Sequence, residues 1–115
     1  MIETYLKKLP WKSGHAETGY QKIRLFESAR FKCDSYLLYY PCGSEIPAHV
    51  DSVSFGRHYR VNVILKKALV GGDFICADPI FSKFGVNLFR PDISPHAVSR
   101  VESGYRVVLS FGWVR

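Results

Sequence analysis

"HAVSRVESGYRVVLSFGW", residues 96–113, reads as strand, turn, strand, and its register bears on the whole fold. Val101 and Tyr105 flank Glu102-Ser103-Gly104. A glycine at position 104 can take the left-handed conformation that ends a three-residue hairpin loop. That loop predicts pairing of 101 with 105, 100 with 106 and 96 with 110. His96, Val98 and Arg100 would then share one face with Arg106, Val108 and Ser110. A two-residue loop would put His96 and Arg106 on opposite faces, so the glycine position decides whether they can serve one site.

Upstream the same texture repeats. "KIRLFES" (22–28), "SYLLYY" (35–40), "HYRVNVIL" (58–65), "DFICA" (73–77) and "GVNLF" (85–89) are short and apolar or alternating. They are separated by Pro41 to Gly43, Gly71-Gly72, Asp78-Pro79 and Pro91-Asp92. Seven or eight strands at this spacing predict an all-β sandwich or barrel. Residues 2–9 can form a short N-terminal helix that Pro10 ends.

The 115 residues, 47% hydrophobic and 15% aromatic, fit one globular domain spanning 1–115. No apolar run approaches a membrane span, and Met1 to Pro10 does not read as a signal peptide. Three cysteines without CxxC spacing argue against a disulfide framework, so a cytoplasmic location is expected. The net charge of +6 suits an anionic partner, nucleic acid included, but the basic residues are scattered.

"PAHVD" (47–51) carries the chemistry. Residues i and i+2 of an extended strand point to one side, so His49 and Asp51 can converge on one cation, and Pro47 biases Ile46 away from helix. His96, after the turn "FRPDISP", is the best third ligand. Two histidines and a carboxylate on one face of an octahedron form the triad of non-heme Fe(II) oxygenases. Arg106, among the small side chains of Val108, Ser110 and Gly112, needs an anion for its guanidinium, and a dicarboxylate that also chelates the metal would supply it. The competing readings are plain ones: an exposed polar loop at 49–51, a strand-end histidine at 96, and an ion pair between Arg106 and Glu102.

Taken together, "YYPCGSEIPAHVD", "RVNVILKK", "GGDF" and "NLFRPDISPHAVSRVESGYRVVLSFGW" resemble the Fe(II)/2-oxoglutarate-dependent dioxygenases. The resemblance is to the prolyl 4-hydroxylase-like branch with its small phage and bacterial members, over about residues 36–114. It implies a double-stranded β-helix, the jelly-roll barrel of cupins. It implies Fe(II) on His49, Asp51 and His96, and Arg106 on the C5 carboxylate of 2-oxoglutarate. Tyr40 matches the tyrosine ahead of the HxD loop that often hydrogen-bonds the co-substrate, and Asn62 sits on the strand that commonly supplies another contact, although Tyr40 could equally be core packing and Asn62 could merely satisfy backbone groups. Ser110 could support Arg106 from the same face. The implied reaction couples decarboxylation of 2-oxoglutarate to succinate, using O2, to hydroxylation of a protein side chain or small molecule; no ascorbate requirement follows. Gly112 stands where the nucleic-acid demethylases carry a second arginine, which argues against base demethylation. A nucleic-acid-modifying oxygenase and a non-catalytic jelly-roll sensor are the alternatives. His15 and His58 read as surface residues.

Overall fold

Where β-branched and aromatic residues alternate between breakers, the chain is extended, and these segments close into two facing sheets. The computed structural model describes residues 7–13 and 19–115. Its strands are β1 (Lys12–Ser13), β2 (Gln21–Ser28), β3 (Cys33–Tyr40), β4 (Ile46–His49), β5 (His58–Lys66), β6 (Val70–Gly71), β7 (Phe74–Cys76), β8 (Phe81–Lys83), β9 (Val86–Phe89), β10 (His96–Val98), β11 (Val101–Ser103) and β12 (Arg106–Val114). There is no helix among the described residues. Of the helix expected over 2–9, residues 2–6 lie outside the described residues, and 7–9 form a turn leading through Pro10 into β1.

The large sheet runs β1-β2-β3-β12-β5-β9-β8, and the small one β4-β10-β7; β6 and β11 form a separate two-stranded ladder. All pairings are antiparallel. This is the jelly-roll architecture, in which two sheets bury alternate side chains against each other. Alternation is clear in β10, where His96 and Val98 are buried, and in β9, where Asn87 and Phe89 are. The core is small: Tyr20, Tyr40, Val98, Val101 and Val108, with Leu38, Ile46, Ile64, Ala68 and Phe74 packed around them.

The expected 96–113 hairpin does not form. Gly104 has the left-handed φ of +82°, but β12 pairs with β3 (Arg106↔Tyr40) and β5 (Ser110↔Asn62), while β10 pairs with β4 and β7. Residues 101–103 leave β10 to pair with β6. His96 and Arg106 both face inward, but from opposite sheets. The local turn chemistry was satisfied without the hairpin, because β12 buries more against β3 and β5 on either side than one partner offers.

Gly71-Gly72 is more than a turn. Gly71 has φ +75°, and a Cβ there would overlap the Arg100 carbonyl oxygen and lie 3.2 Å from the Glu102 nitrogen. Only glycine lets β6 approach β11 this closely. Gly71→Ala should therefore cost roughly 3 kcal/mol of unfolding free energy in urea denaturation; a loss below about 0.5 kcal/mol would contradict this account.

Candidate metal centre

His49 ends β4 and His96 starts β10, and the two are direct register partners. Opposed residues on antiparallel strands project to one side, so their imidazoles meet, with ring centroids 4.4 Å apart. Asp51 lies two residues beyond His49, its backbone N–H donating to the Pro91 carbonyl at 2.7 Å. That bond ties the segment after β4 to the turn that leads into β10. Asp51 Oδ1 is 3.4 Å from His49 Nε2, and Oδ2 is 3.4 Å from His96 Nε2. The three donor atoms lie within 4.8 Å of one another.

The far side of each ring is fixed too. His49 Nδ1 is 2.8 Å from the Pro47 carbonyl oxygen, and His96 Nδ1 is 3.0 Å from that of Ser94. A carbonyl only accepts, so each Nδ1 carries the proton and donates. In the neutral ring this leaves Nε2 unprotonated and facing Asp51, the tautomer a metal requires. Phe89 and Phe74 wall His96 at 5.1 and 6.4 Å. Ser94 Oγ accepts from the Asp78 backbone N–H at 3.0 Å, which steadies the turn before His96. Two imidazoles with fixed tautomers and a shared carboxylate are a donor set that fits a divalent transition metal.

The triad opens on a cavity of about 260 Å³ between the sheets, at the small end of the range for ligand sites, roughly 300–1,000 Å³. Tyr40 and Asn62 line it. Tyr40 is 3% exposed, stacks on Tyr20 at 5.2 Å, and burial pushes its phenol up to about 12, so it stays protonated. Asn62 is buried, and its Oδ1 has no hydrogen-bond partner among the described residues.

Arg106 is 1% exposed but does not line this cavity. Its guanidinium lies against the Tyr40 ring, 4.7 Å from the centroid, in hydrogen-bonding contact with the Tyr40 side chain. Burial lowers its pKa, and its Nε has no partner among the described residues. Glu102 does not pair with it; that side chain is exposed while Arg106 is buried.

Two sequence expectations need correction. Ser110 does not support Arg106: its Oγ accepts from Arg60 Nη1 at 2.7 Å. His58 is not a surface residue: it is half-buried and lines the cavity with Arg60. Arg60 was not foreseen. Its Nη2 donates to Asp34 Oδ1 at 2.6 Å and lies 3.4 Å from His58 Nε2. The available signal was the polar run His58, Arg60, Asn62 at i, i+2 and i+4 on one strand face.

Burial and, second, the Arg60 charge lower the His58 pKa. The His58 ring resonance should titrate below the ordinary 6.5. Because the folded pKa is depressed, neutral His58 contributes stability above the unfolded pKa, and this is lost as pH falls towards the folded one. In Arg60→Met the NMR midpoint should move up; no movement would remove Arg60 as a cause.

No family model and no curated protein matches the chain. Solved structures do. A Pseudomonas putida prolyl-4-hydroxylase is similar at TM-score 0.68 and 15% identity, over 91% of this chain and 76% of the other. A 2OG-Fe(II) oxygenase family oxidoreductase from Burkholderia pseudomallei gives TM-score 0.68 and 15% identity, over 98% and 75%. The cupin domain of Schizosaccharomyces pombe Cnp3 gives 0.65 and 13%, over 96% and 72%. At these identities the likeness is one of fold: the chain has a cupin-type jelly-roll. No helix among the described residues is long and apolar enough to cross a membrane.

Proposed function

We propose that this chain is an Fe(II)- and 2-oxoglutarate-dependent dioxygenase that hydroxylates a protein side chain or small molecule. The observation that carries the reading is the pair of Nε2 atoms, each 3.4 Å from a different oxygen of Asp51, with both Nδ1 atoms held by backbone carbonyls. The likeness to two oxygenase structures supports it as a fold that hosts this chemistry.

His49, Asp51 and His96 would hold the iron. Three protein ligands leave room for a chelating co-substrate and O2. Bound iron with 2-oxoglutarate and O2 supplies the oxidising power: decarboxylation to succinate, with one oxygen atom going to the substrate. Arg106 would take the far carboxylate of 2-oxoglutarate. A buried guanidinium with no carboxylate hydrogen-bonded to it among the described residues is unfavourable unless an anion arrives. Tyr40, kept protonated, can present its hydroxyl to the same carboxylate while bonded to Arg106. Phe74 and Phe89 keep the His96 side of the cavity dry, which strengthens the polar contacts inside it.

Anaerobic addition of Fe(II) and 2-oxoglutarate should produce the visible charge-transfer band of the chelate, and admission of O2 should convert 2-oxoglutarate to succinate. Without the band the proposal fails. A band without succinate would favour the second reading, a ligand-binding jelly-roll, towards which the cupin-domain likeness points.

A further inference from the structure

Arg60 is placed where metal chemistry alone does not require a cation. Its strand alternates so that Tyr59 stacks on Trp113, with centroids 5.7 Å apart, while Arg60 and Asn62 line the cavity on the opposite face. The guanidinium crosses β12 at Gly112, where a Cβ would overlap Nη2 and lie 3.0 Å from Nε. The missing side chain at 112 thus makes the space that Arg60 occupies. For stability alone, an apolar residue on this wall would avoid the desolvation of a charge.

We propose that Arg60 forms an oxyanion subsite distinct from Arg106, and that the molecule acted on presents a carboxylate or phosphate group to it. The assignment to that molecule rests on the oxygenase reading; the anion site itself does not. Arginine has five N–H donors. Here one goes to Ser110 Oγ at 2.7 Å and one to Asp34 Oδ1 at 2.6 Å, and the approach to His58 Nε2 is long at 3.4 Å. Donors therefore remain, and the two short bonds fix the plane of the fork, so little freedom is lost when an anion docks.

Lys22 stands on the same wall as Arg60 and Asp34, while the other carboxylate of the lining, Asp51, belongs to the triad. Lys22 Nζ lies over the Tyr36 ring at 5.1 Å, and both residues also line a second cavity with Lys12 and Arg24. Approach from that side passes two more cations, Lys12 and Arg24. Arg106 does not line this wall; its guanidinium lies at the Tyr40 ring, 4.7 Å from the centroid, so Arg60 is the guanidinium that faces a group docked here. One guanidinium would hold the co-substrate and the other its target.

The test is a titration of the metal-free full chain with inorganic phosphate and, in a separate arm, with acetate. It is read at the Arg60 Nε–H resonance, identified by its loss in Arg60→Lys. A saturable shift in either arm is expected, and the stronger arm tells phosphate from carboxylate chemistry. Lys22→Ala should weaken the binding about threefold at low salt. An Arg60 signal that neither anion moves overturns the proposal. So does 2-oxoglutarate, added to Zn(II)-loaded protein, displacing phosphate from Arg60, since the co-substrate would then own the site. Absence of the Fe(II)–2-oxoglutarate band would sink the oxygenase reading and leave a responding Arg60 intact, so the two failures are distinguishable.

Discussion

Asp51→Ala should leave the chain folded and remove nearly all of its stabilisation by metal plus co-substrate. The side chain is 43% exposed and forms no part of the buried cluster, so the barrel does not depend on it. Both imidazoles keep their Nδ1 tethers to Pro47 and Ser94 and remain presented. In the parent chain, ligand at a hundred times its dissociation constant adds about 2.7 kcal/mol, because it binds only the folded state. For a domain of this size that is a rise of roughly 10 °C in Tm. Removing a ligand should weaken the site at least as much as losing an outer-shell partner, about a hundredfold. At the same concentration the gain then falls to about 0.4 kcal/mol, or roughly 2 °C. Differential scanning fluorimetry with Mn(II) and 2-oxoglutarate measures both. An undiminished shift in the variant would show that the carboxylate is not a ligand.

The triad was legible because its geometry is local at one end. His49 and Asp51 are two residues apart, and extended backbone alone brings them to one side. His96 needed a long-range partner, and the pairing of β10 with β4 supplies it. The 96–113 hairpin misled for the opposite reason. Gly104 takes the turn conformation its position suggests, yet turn chemistry says nothing about which sheet the next strand joins. The true partners of β12 start at Cys33 and His58, far along the chain.

Arg60 was hidden by a different rule. In "HYRVNVIL" the aromatic and β-branched set Tyr59, Val61, Val63 looks like the inward face. In the fold, Arg60 and Asn62 line the cavity while Tyr59 stacks on Trp113 and Val61 is paired with the exposed Phe111. Period-2 reasoning assigns the apolar set to the core, and it fails where a barrel interior is a polar site.

Arg106→Met should raise stability while it destroys co-substrate binding, a combination that separates a functional cation from a structural one. The guanidinium is 1% exposed, its Nε has no partner, and no carboxylate is paired with it among the described residues. Desolvating such a charge costs several kcal/mol after relaxation. Its contact with the Tyr40 ring returns about 2 kcal/mol at most, and its hydrogen bond to the Tyr40 side chain about 1 kcal/mol more. Methionine keeps most of the volume of the aliphatic stem and removes the charge, so unfolding free energy in urea should rise by about 1 kcal/mol. The same change takes away the charge-assisted bonds proposed for the far carboxylate of 2-oxoglutarate. Those bonds are worth about 1.5–3 kcal/mol each, so the dissociation constant should rise at least about a hundredfold. Titration of the charge-transfer band reads this directly. Arg106→Lys keeps a charge without the planar fork and should fall between parent and methionine in co-substrate affinity. If methionine destabilises the chain and leaves the band unchanged, Arg106 is a strut of the barrel and the co-substrate is held elsewhere, with Arg60 and Lys22 the cations that line the cavity.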